Sequence, residues 1–212
     1  MDIKNIRIDY NQHKLSRKEL PINPVDFFKK WLNDASFLNI KDFNSFVIST
    51  VSDKNIPSSR VVLLREIKDN RFVFFTNYNS NKAASIDQNN KVSISFFWEE
   101  SERQVIIKGV ATRTSDDFST KYFNSRPKGS KLGALVSENQ SSIIKSKDYI
   151  VKKFNELSKE YLNKEISRPN NWGGYIIKPI QYEFWQGGEN RLHDRIRYTL
   201  NKKIWQIDRL SP

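Results

Sequence analysis

The chain contains no cysteine, which excludes disulfides, thiolate nucleophiles and cysteine-held metal sites. Histidine is almost as scarce, with His13 and His193 the only two. A His-rich metal centre is therefore out of reach, and no HExxH pattern occurs. Glycine forms neither a P-loop nor a GxGxxG turn, which argues against a Rossmann-type dinucleotide site. No Gly-x-Ser-x-Gly is present to hold a serine nucleophile on a sharp turn. No apolar run approaches the roughly 18 residues that a membrane helix needs. Met1-Asp2-Ile3-Lys4-Asn5 also lacks the apolar centre of a signal peptide. A soluble cytoplasmic protein without a metal is expected. Any redox chemistry would fall to an organic cofactor, or else His193 would act as a lone acid or base.

What is present is positive charge. The formal net charge is +12, which suits phosphate-bearing partners. The cations are spread through the chain rather than gathered in one stripe, so a small phosphorylated molecule is favoured over nucleic acid. Aromatic residues make up 13% of the 212 positions, which favours a globular core over disorder despite a low apolar share. Residues 1–22 are polar and aperiodic and read as a mobile N-terminal arm. Residues 23–212 read as a single domain with peripheral helices.

Asn23-Pro24 supplies a cap and a first helical position. Phe28, Trp31, Leu32 and Ala35 then recur at helical spacing to about residue 38. From Phe46 the period becomes two, and strands are predicted over 46–51, 59–65 and 71–76 as an antiparallel meander. Ser80 caps a short helix to about Gln88, and strands follow at 91–98 and 103–113. Ser115-Asp116-Asp117 opens another helix, closed by Arg126-Pro127, and Ile150, Phe154, Leu157 and Tyr161 mark a longer one. Residues 167–174 are expected to be a loop before strands at 175–185, 192–200 and 203–207. The result is a mainly β chain with inserted helices (α+β), folded as a closed or split barrel.

The stretch Trp185-Gln-Gly-Gly-Glu-Asn-Arg-Leu-His-Asp-Arg-Ile-Arg197 concentrates the unusual residues. Gly187-Gly188 permits positive φ and close backbone approach. If the return is a strand, Arg191, His193, Arg195 and Arg197 share one face, with Leu192 and Ile196 on the other. An imidazole in a basic face suits an anionic ligand undergoing proton or hydride chemistry; a hairpin with a solvated cationic face is the plainer alternative. Arg60, Arg65, Lys82, Arg126 with Ser130, and Gln140-Ser141-Ser142 offer further places for phosphate. Each alone reads as solvated charge. Their number makes two bound phosphates worth considering.

The chain resembles the pyridoxamine 5′-phosphate oxidase family from about Arg7 to Pro212. The resemblance rests on Arg60-Val-Val-Leu-Leu-Arg65, Phe75-Thr-Asn77, Glu102-Arg-Gln-Val105, Tyr122-Phe-Asn-Ser-Arg-Pro127, Gln140-Ser-Ser142, Asn171-Trp-Gly-Gly174 and Phe184-Trp-Gln-Gly-Gly-Glu-Asn-Arg-Leu-His-Asp-Arg195. It implies an FMN-binding split β-barrel and a homodimer with both active sites at the subunit interface. It implies oxidation of pyridoxamine 5′-phosphate or pyridoxine 5′-phosphate to pyridoxal 5′-phosphate, with hydride passing from C4′ to flavin N5. O2 would reoxidise the flavin to give hydrogen peroxide, and the amine substrate would also release ammonia.

Carried over by motif, FMN would contact Arg60, Val61, Val62, Leu63, Leu64, Arg65, Phe75, Thr76, Lys82, Gln104, Gln140, Ser141, Trp172 and Arg195. The substrate phosphate would meet Arg65, Tyr122, Arg126 and Ser130. Arg191, Leu192 and His193 would flank the pyridine ring, with Arg191 and His193 as the catalytic pair, and Arg7 and Tyr10 match positions in the arm that can fold over the site. Three residues depart from the commoner pattern. Arg65 stands where many members have lysine, Asn81 where an Arg-Lys pair is frequent, and Phe75 where tyrosine is common. One residue is also inserted before Gln140. Other readings are a split-barrel binder of FMN, another flavin-like cofactor or haem with a different substrate, a vitamin B6 carrier, and a basic nucleic-acid-binding module.

Overall fold

The computed structural model describes residues 4–5, 9–16, 18, 20–38 and 40–212. The first helix, α1 (Pro24–Phe37), begins where expected, with the Asn23 side chain accepting the Val25 amide at 3.3 Å. Its apolar stripe supplies Phe28 and Trp31, both almost inaccessible to water. Those rings plug the barrel. Phe28 meets Phe72 and Phe96 edge-on at 5.0 and 4.8 Å, and Phe27 meets Phe184 at 4.3 Å. Burial of each such ring contributes about 1.5–3 kcal/mol.

Nine strands are found among the described residues: β1 (Ser45–Val51), β2 (Pro57–Leu63), β3 (Glu66–Lys68), β4 (Arg71–Asn77), β5 (Lys91–Trp98), β6 (Arg103–Arg113), β7 (Trp172–Gln186), β8 (Asp194–Asn201) and β9 (Ile204–Leu210). They form one antiparallel sheet in the order β2-β1-β5-β6-β7-β4-β3, with β8 on β7 and β9 on β8. Period-two burial is cleanest in β5, where Val92, Ile94, Phe96 and Trp98 all point inward. The 15-residue β7 organises the sheet. One edge pairs with β6 along most of its length; the other pairs with β4 over Trp172–Ile177 and with β8 over Gln181–Gln186. Pro179, which has no N–H to donate, falls between those two segments. The curled sheet is the mainly β split barrel expected from the sequence.

The expected meander is corrected. β1 and β2 form a hairpin, as do β3 and β4, but β4 lies beside β7 rather than β2. Phe72, Val73 and Phe74 of β4 are all fully buried, so both faces of the strand are covered, which a strand of an open meander would not achieve. Three further helices follow as predicted: α2 (Asn81–Gln88), capped by Ser80, α3 (Asp116–Ser125), capped by Ser115, and, after the next one, α5 (Lys147–Glu160). Helix α4 (Lys128–Val136) was not expected. Its two glycines each cost about 1 kcal/mol of helix propensity, and the burial of Leu132, Ala134 and Val136 offsets that. The predicted loop before β7 is shorter than expected, because the strand already begins at Trp172.

Candidate active site

A cleft of about 740 Å³ opens between β2, β4, the start of α2, and α4. Arg60, Val61, Val62 and Leu63 supply one wall from β2, followed by Arg65. Phe75 and Thr76 of β4, Lys82 of α2, and Trp172 supply another. Arg126, Ser130, Gln140 and Ser141 close it. Residues far apart in sequence are thereby gathered into one basic cavity of a size that suits a small ligand.

Its electrostatics are unusual. Lys82 is buried, and its ammonium donates to Thr76 Oγ1 and Ser80 Oγ at 3.1 Å each and to Gln140 Oε1 at 3.4 Å. All three acceptors are neutral. Burial, and then the nearby Arg60 guanidinium, lower the Lys82 pKa to about 8. Arg60 donates to Thr50 Oγ1 at 2.8 Å, to Ile48 O at 3.3 Å and to Ser58 Oγ, again neutral oxygens. Burial lowers its pKa too. Arg126 has a buried Nη1 with no hydrogen-bond partner, while its guanidinium lies 4.5 Å from the Trp172 ring centre. Its pKa is lowered chiefly by burial, with Tyr122 raising it and Arg65 lowering it. Such cations are costly unless an anion joins them. The donor set fits phosphate.

Aromatic rings flank this charge. Phe75 stacks on Tyr122 at 3.8 Å and 9°, and on Trp172 at 5.4 Å and 8°. Tyr122 thus stands behind the cleft rather than on its wall. Leu64 is buried in the core, and its amide donates to Asn44 O at 2.8 Å. Ser141 takes a left-handed φ of 77°, and its hydroxyl accepts the Asn81 amide at 3.4 Å. A non-glycine residue held there stores strain of the kind found at ligand sites.

A second cluster surrounds the Gly-Gly turn. Gln104 of β6 and Arg195 of β8 both pair with Trp185 of β7. Arg195 donates to Glu183 Oε1 through Nε at 2.9 Å and Nη2 at 2.7 Å, so its charge is matched. The Trp185 ring lies 4.8 Å from His193 and 5.6 Å from Tyr10. Gln104, Arg191, Leu192, His193 and Arg195 are not walls of the first cleft. One chain therefore carries two separate clusters of these residues. Arg7 lies outside the described residues.

Two expectations about this turn are corrected. Strand alternation does not reach Arg191 or His193, because Asn190 (φ 54°) and Arg191 (φ 63°) adopt left-handed backbone and β8 starts only at Asp194. Leu192 is accordingly 73% exposed and does not share a buried face with Ile196. Neither glycine uses positive φ. They are needed for close approach: a Cβ on Gly187 would lie 2.6 Å from Tyr10 Cβ, and one on Gly188 would lie 2.6 Å from Leu192 O.

Known proteins match this chain closely. Residues 33–160 match the model of the pyridoxamine 5′-phosphate oxidase family, and residues 172–212 match that of the pyridoxine 5′-phosphate oxidase C-terminal dimerisation region. The chain belongs to the pyridoxamine 5′-phosphate oxidase family. It is thus a member of a family of oxidoreductases. A pyridoxine/pyridoxamine 5′-phosphate oxidase of Flavobacterium johnsoniae is 46% identical over 212 residues, covering 99% of each chain. One from Rippkaea orientalis is 46% identical over 213 residues, with 100% of each covered. Among solved structures, PhzG from Burkholderia lata superposes with a TM-score of 0.86 at 24% identity, covering 92% of this chain and 95% of that one. A pyridoxamine 5′-phosphate oxidase-related, FMN-binding protein from Nostoc punctiforme gives 0.72 at 15%, over 91% of this chain and 100% of that one. These two likenesses support the fold.

Sequence reasoning missed the scaffold behind the family's motifs. Asn77 Nδ2 donates to Ser137 O at 2.7 Å and Glu138 O at 3.1 Å, and Asn171 Nδ2 donates to Glu138 O at 2.6 Å. These amides hold the segment that brings Gln140 to Lys82. Both residues sat inside quoted motifs, which was the available signal. Gly133, Ala134 and Ser137 also line the cleft, but the glycines of α4 hid that wall.

Proposed function

We propose that the protein is an FMN-dependent oxidase that converts pyridoxamine 5′-phosphate and pyridoxine 5′-phosphate to pyridoxal 5′-phosphate. The observation that carries this is the basic cleft, where buried Lys82 is held by neutral oxygens and Arg126 keeps an unpartnered Nη1. Full-length relatives bearing that activity in their names support it. FMN, when bound, would accept the hydride from substrate C4′ and deliver the electrons to O2, giving hydrogen peroxide.

The chain's own residues do the rest. Lys82, Arg60 and the amides at the start of α2 would hold the cofactor phosphate, where cation and helix N-terminus act together. Thr76, Gln140 and Ser141 would supply further polar contacts, and the β2 backbone from Val61 to Leu63 would run along the flavin. Arg65, Arg126 and Ser130 would grip the substrate phosphate, with Tyr122 beside them. Arg191 and His193 would orient the pyridine ring and manage its charge, and Tyr10 would cover it. Positioning supplies most of the rate.

Because Gln104, Arg191, His193 and Arg195 stand apart from the cleft, a second copy of the chain would bring them, so each complete site belongs to a homodimer. The matched dimerisation region supports this. Among the described residues no helix is long and apolar enough to cross a membrane; a cytoplasmic location is part of the same proposal.

The test is a visible spectrum of the purified protein followed by anaerobic addition of pyridoxine 5′-phosphate. A yellow spectrum that bleaches and returns with air is expected. A yellow protein that never bleaches would discard the substrate, and one that stays colourless after FMN is added would discard the flavin. Mixing a Lys82→Ala chain with an Arg191→Ala chain should restore activity through mixed dimers; no recovery despite mixed dimers would show sites built within one chain.

A further inference from the structure

Five contacts tie residues 10–15 of the arm to the Gly-Gly turn and the residues around it. Tyr10 packs against Trp185 and lies 5.9 Å from His193. The Gln12 amide donates to Glu102 Oε2 at 3.1 Å, across 90 residues of sequence. The Leu15 amide donates to Asp194 Oδ2 at 2.8 Å, and Arg209 donates both to Leu15 O at 2.8 Å and to Asp194 Oδ1. Gly187 lacks the Cβ that would strike Tyr10. The arm therefore has a seat shaped for it.

Glu102 occupies the centre of that seat. It is buried, with 7% of its surface exposed, and holds a left-handed φ of 54°. Its carbonyl oxygen accepts the Gly187 amide at 2.8 Å and Gln186 Nε2 at 3.2 Å. Gln186 Oε1 in turn accepts Arg103 Nε at 2.9 Å, and Arg103 Nη1 bonds Asp34 Oδ2 of α1 at 2.8 Å. One residue thus fixes the turn through its backbone and the arm through its carboxylate. A carboxylate accepting a part-buried amide is among the stronger hydrogen bonds.

We infer that Glu102 is a positioning residue: its carboxylate anchors the arm so that Tyr10 is held against the Trp185–His193 pair, as one wall of the substrate-ring site. This rests on the function proposed above for Arg191 and His193. It assigns to Glu102 no contact with substrate. Removing the carboxylate leaves the backbone bonds to Gln186 and Gly187 in place, so the turn should survive while the arm is freed.

The experiment uses the full-length protein with FMN. Trypsin cleavage after the exposed Lys14 reads arm docking without any substrate. Glu102→Ala should speed this cleavage about tenfold, the loss expected for one charge-assisted hydrogen bond. Glu102→Gln keeps an acceptor oxygen and should stay within about threefold of wild type. Gln12→Pro removes the donor from the arm side and leaves the core untouched, so it should match Glu102→Ala. The double variant should be no faster than either single one. Unchanged cleavage in both single variants would overturn the anchor. In turnover, Glu102→Ala should raise KM for pyridoxine 5′-phosphate about tenfold with FMN affinity unchanged. A freed arm with KM and kcat unaltered would overturn the positioning role. If the wild type itself fails to oxidise the substrate, the function proposed above falls, and the cleavage rates still decide the anchor.

Discussion

The backbone amide of Gly188 donates to His193 Nδ1 at 3.2 Å. The turn thereby fixes the neutral tautomer, leaving Nε2 to carry the proton. Burial, and then the neighbouring Arg191, lower the His193 pKa from its ordinary value. Both effects favour the neutral ring, whose Nε2–H is then the free donor.

That arrangement predicts a pH profile. A lowered pKa means protonation only as pH falls below the usual histidine range, so the acid limb of kcat/KM due to His193 should lie below about 6.5. Removing the Arg191 charge should raise the value. NMR titration of wild type and Arg191→Ala, with His13 as second signal, measures this directly. An unshifted His193 in the variant would show that Arg191 does not act on it.

Arg191→Ala should reduce turnover of pyridoxine 5′-phosphate about 100-fold or more, as loss of an orienting group does, while FMN stays bound. Steady-state kinetics beside the flavin spectrum separates the two. A colourless variant would place Arg191 in the cofactor site instead.

Lys82 predicts the opposite pattern. Its pKa of about 8 means the ammonium is largely charged at pH 7 and is lost as pH rises through 8 and beyond. FMN affinity should therefore weaken from pH 7 to 9, a fall that bound phosphate would delay by raising the pKa. Lys82→Arg should flatten the dependence, and Lys82→Ala should weaken FMN about tenfold at pH 7. Arg60→Ala should also weaken FMN. Flavin fluorescence quenching gives the constants, and unchanged affinity in both alanine variants would refute the assignment.

Arg126 sets stability against function. Its unpartnered Nη1 carries a desolvation cost of about 1–3 kcal/mol. Arg126→Met should therefore raise the Tm of ligand-free protein by a few degrees while raising KM for pyridoxine 5′-phosphate at least tenfold, because the guanidinium proposed to grip the phosphate is lost. Calorimetry and kinetics on one preparation check both. A lower Tm would mean that the guanidinium's stacking on Trp172 outweighs its missing bond.

The sequence by itself determined most of the local elements and the family. Asn23, Ser80 and Ser115 cap helices because their short side chains accept amides within three residues. Strands such as β5 follow from alternation, which needs no knowledge of the neighbour. The motifs named the family because their order and spacing along one chain suffice for that. Tertiary structure alone decided what lay beyond local reach. It paired β4 with β7, since strand order depends on which faces can be buried together. It stabilised α4 against its glycines through packing. It bent the chain at Asn190 and Arg191, so that His193 answers to Gly188 rather than to strand alternation. It also seated Tyr10 and Gln12 against Gly187 and Glu102, contacts between distant parts of the chain that no residue period encodes.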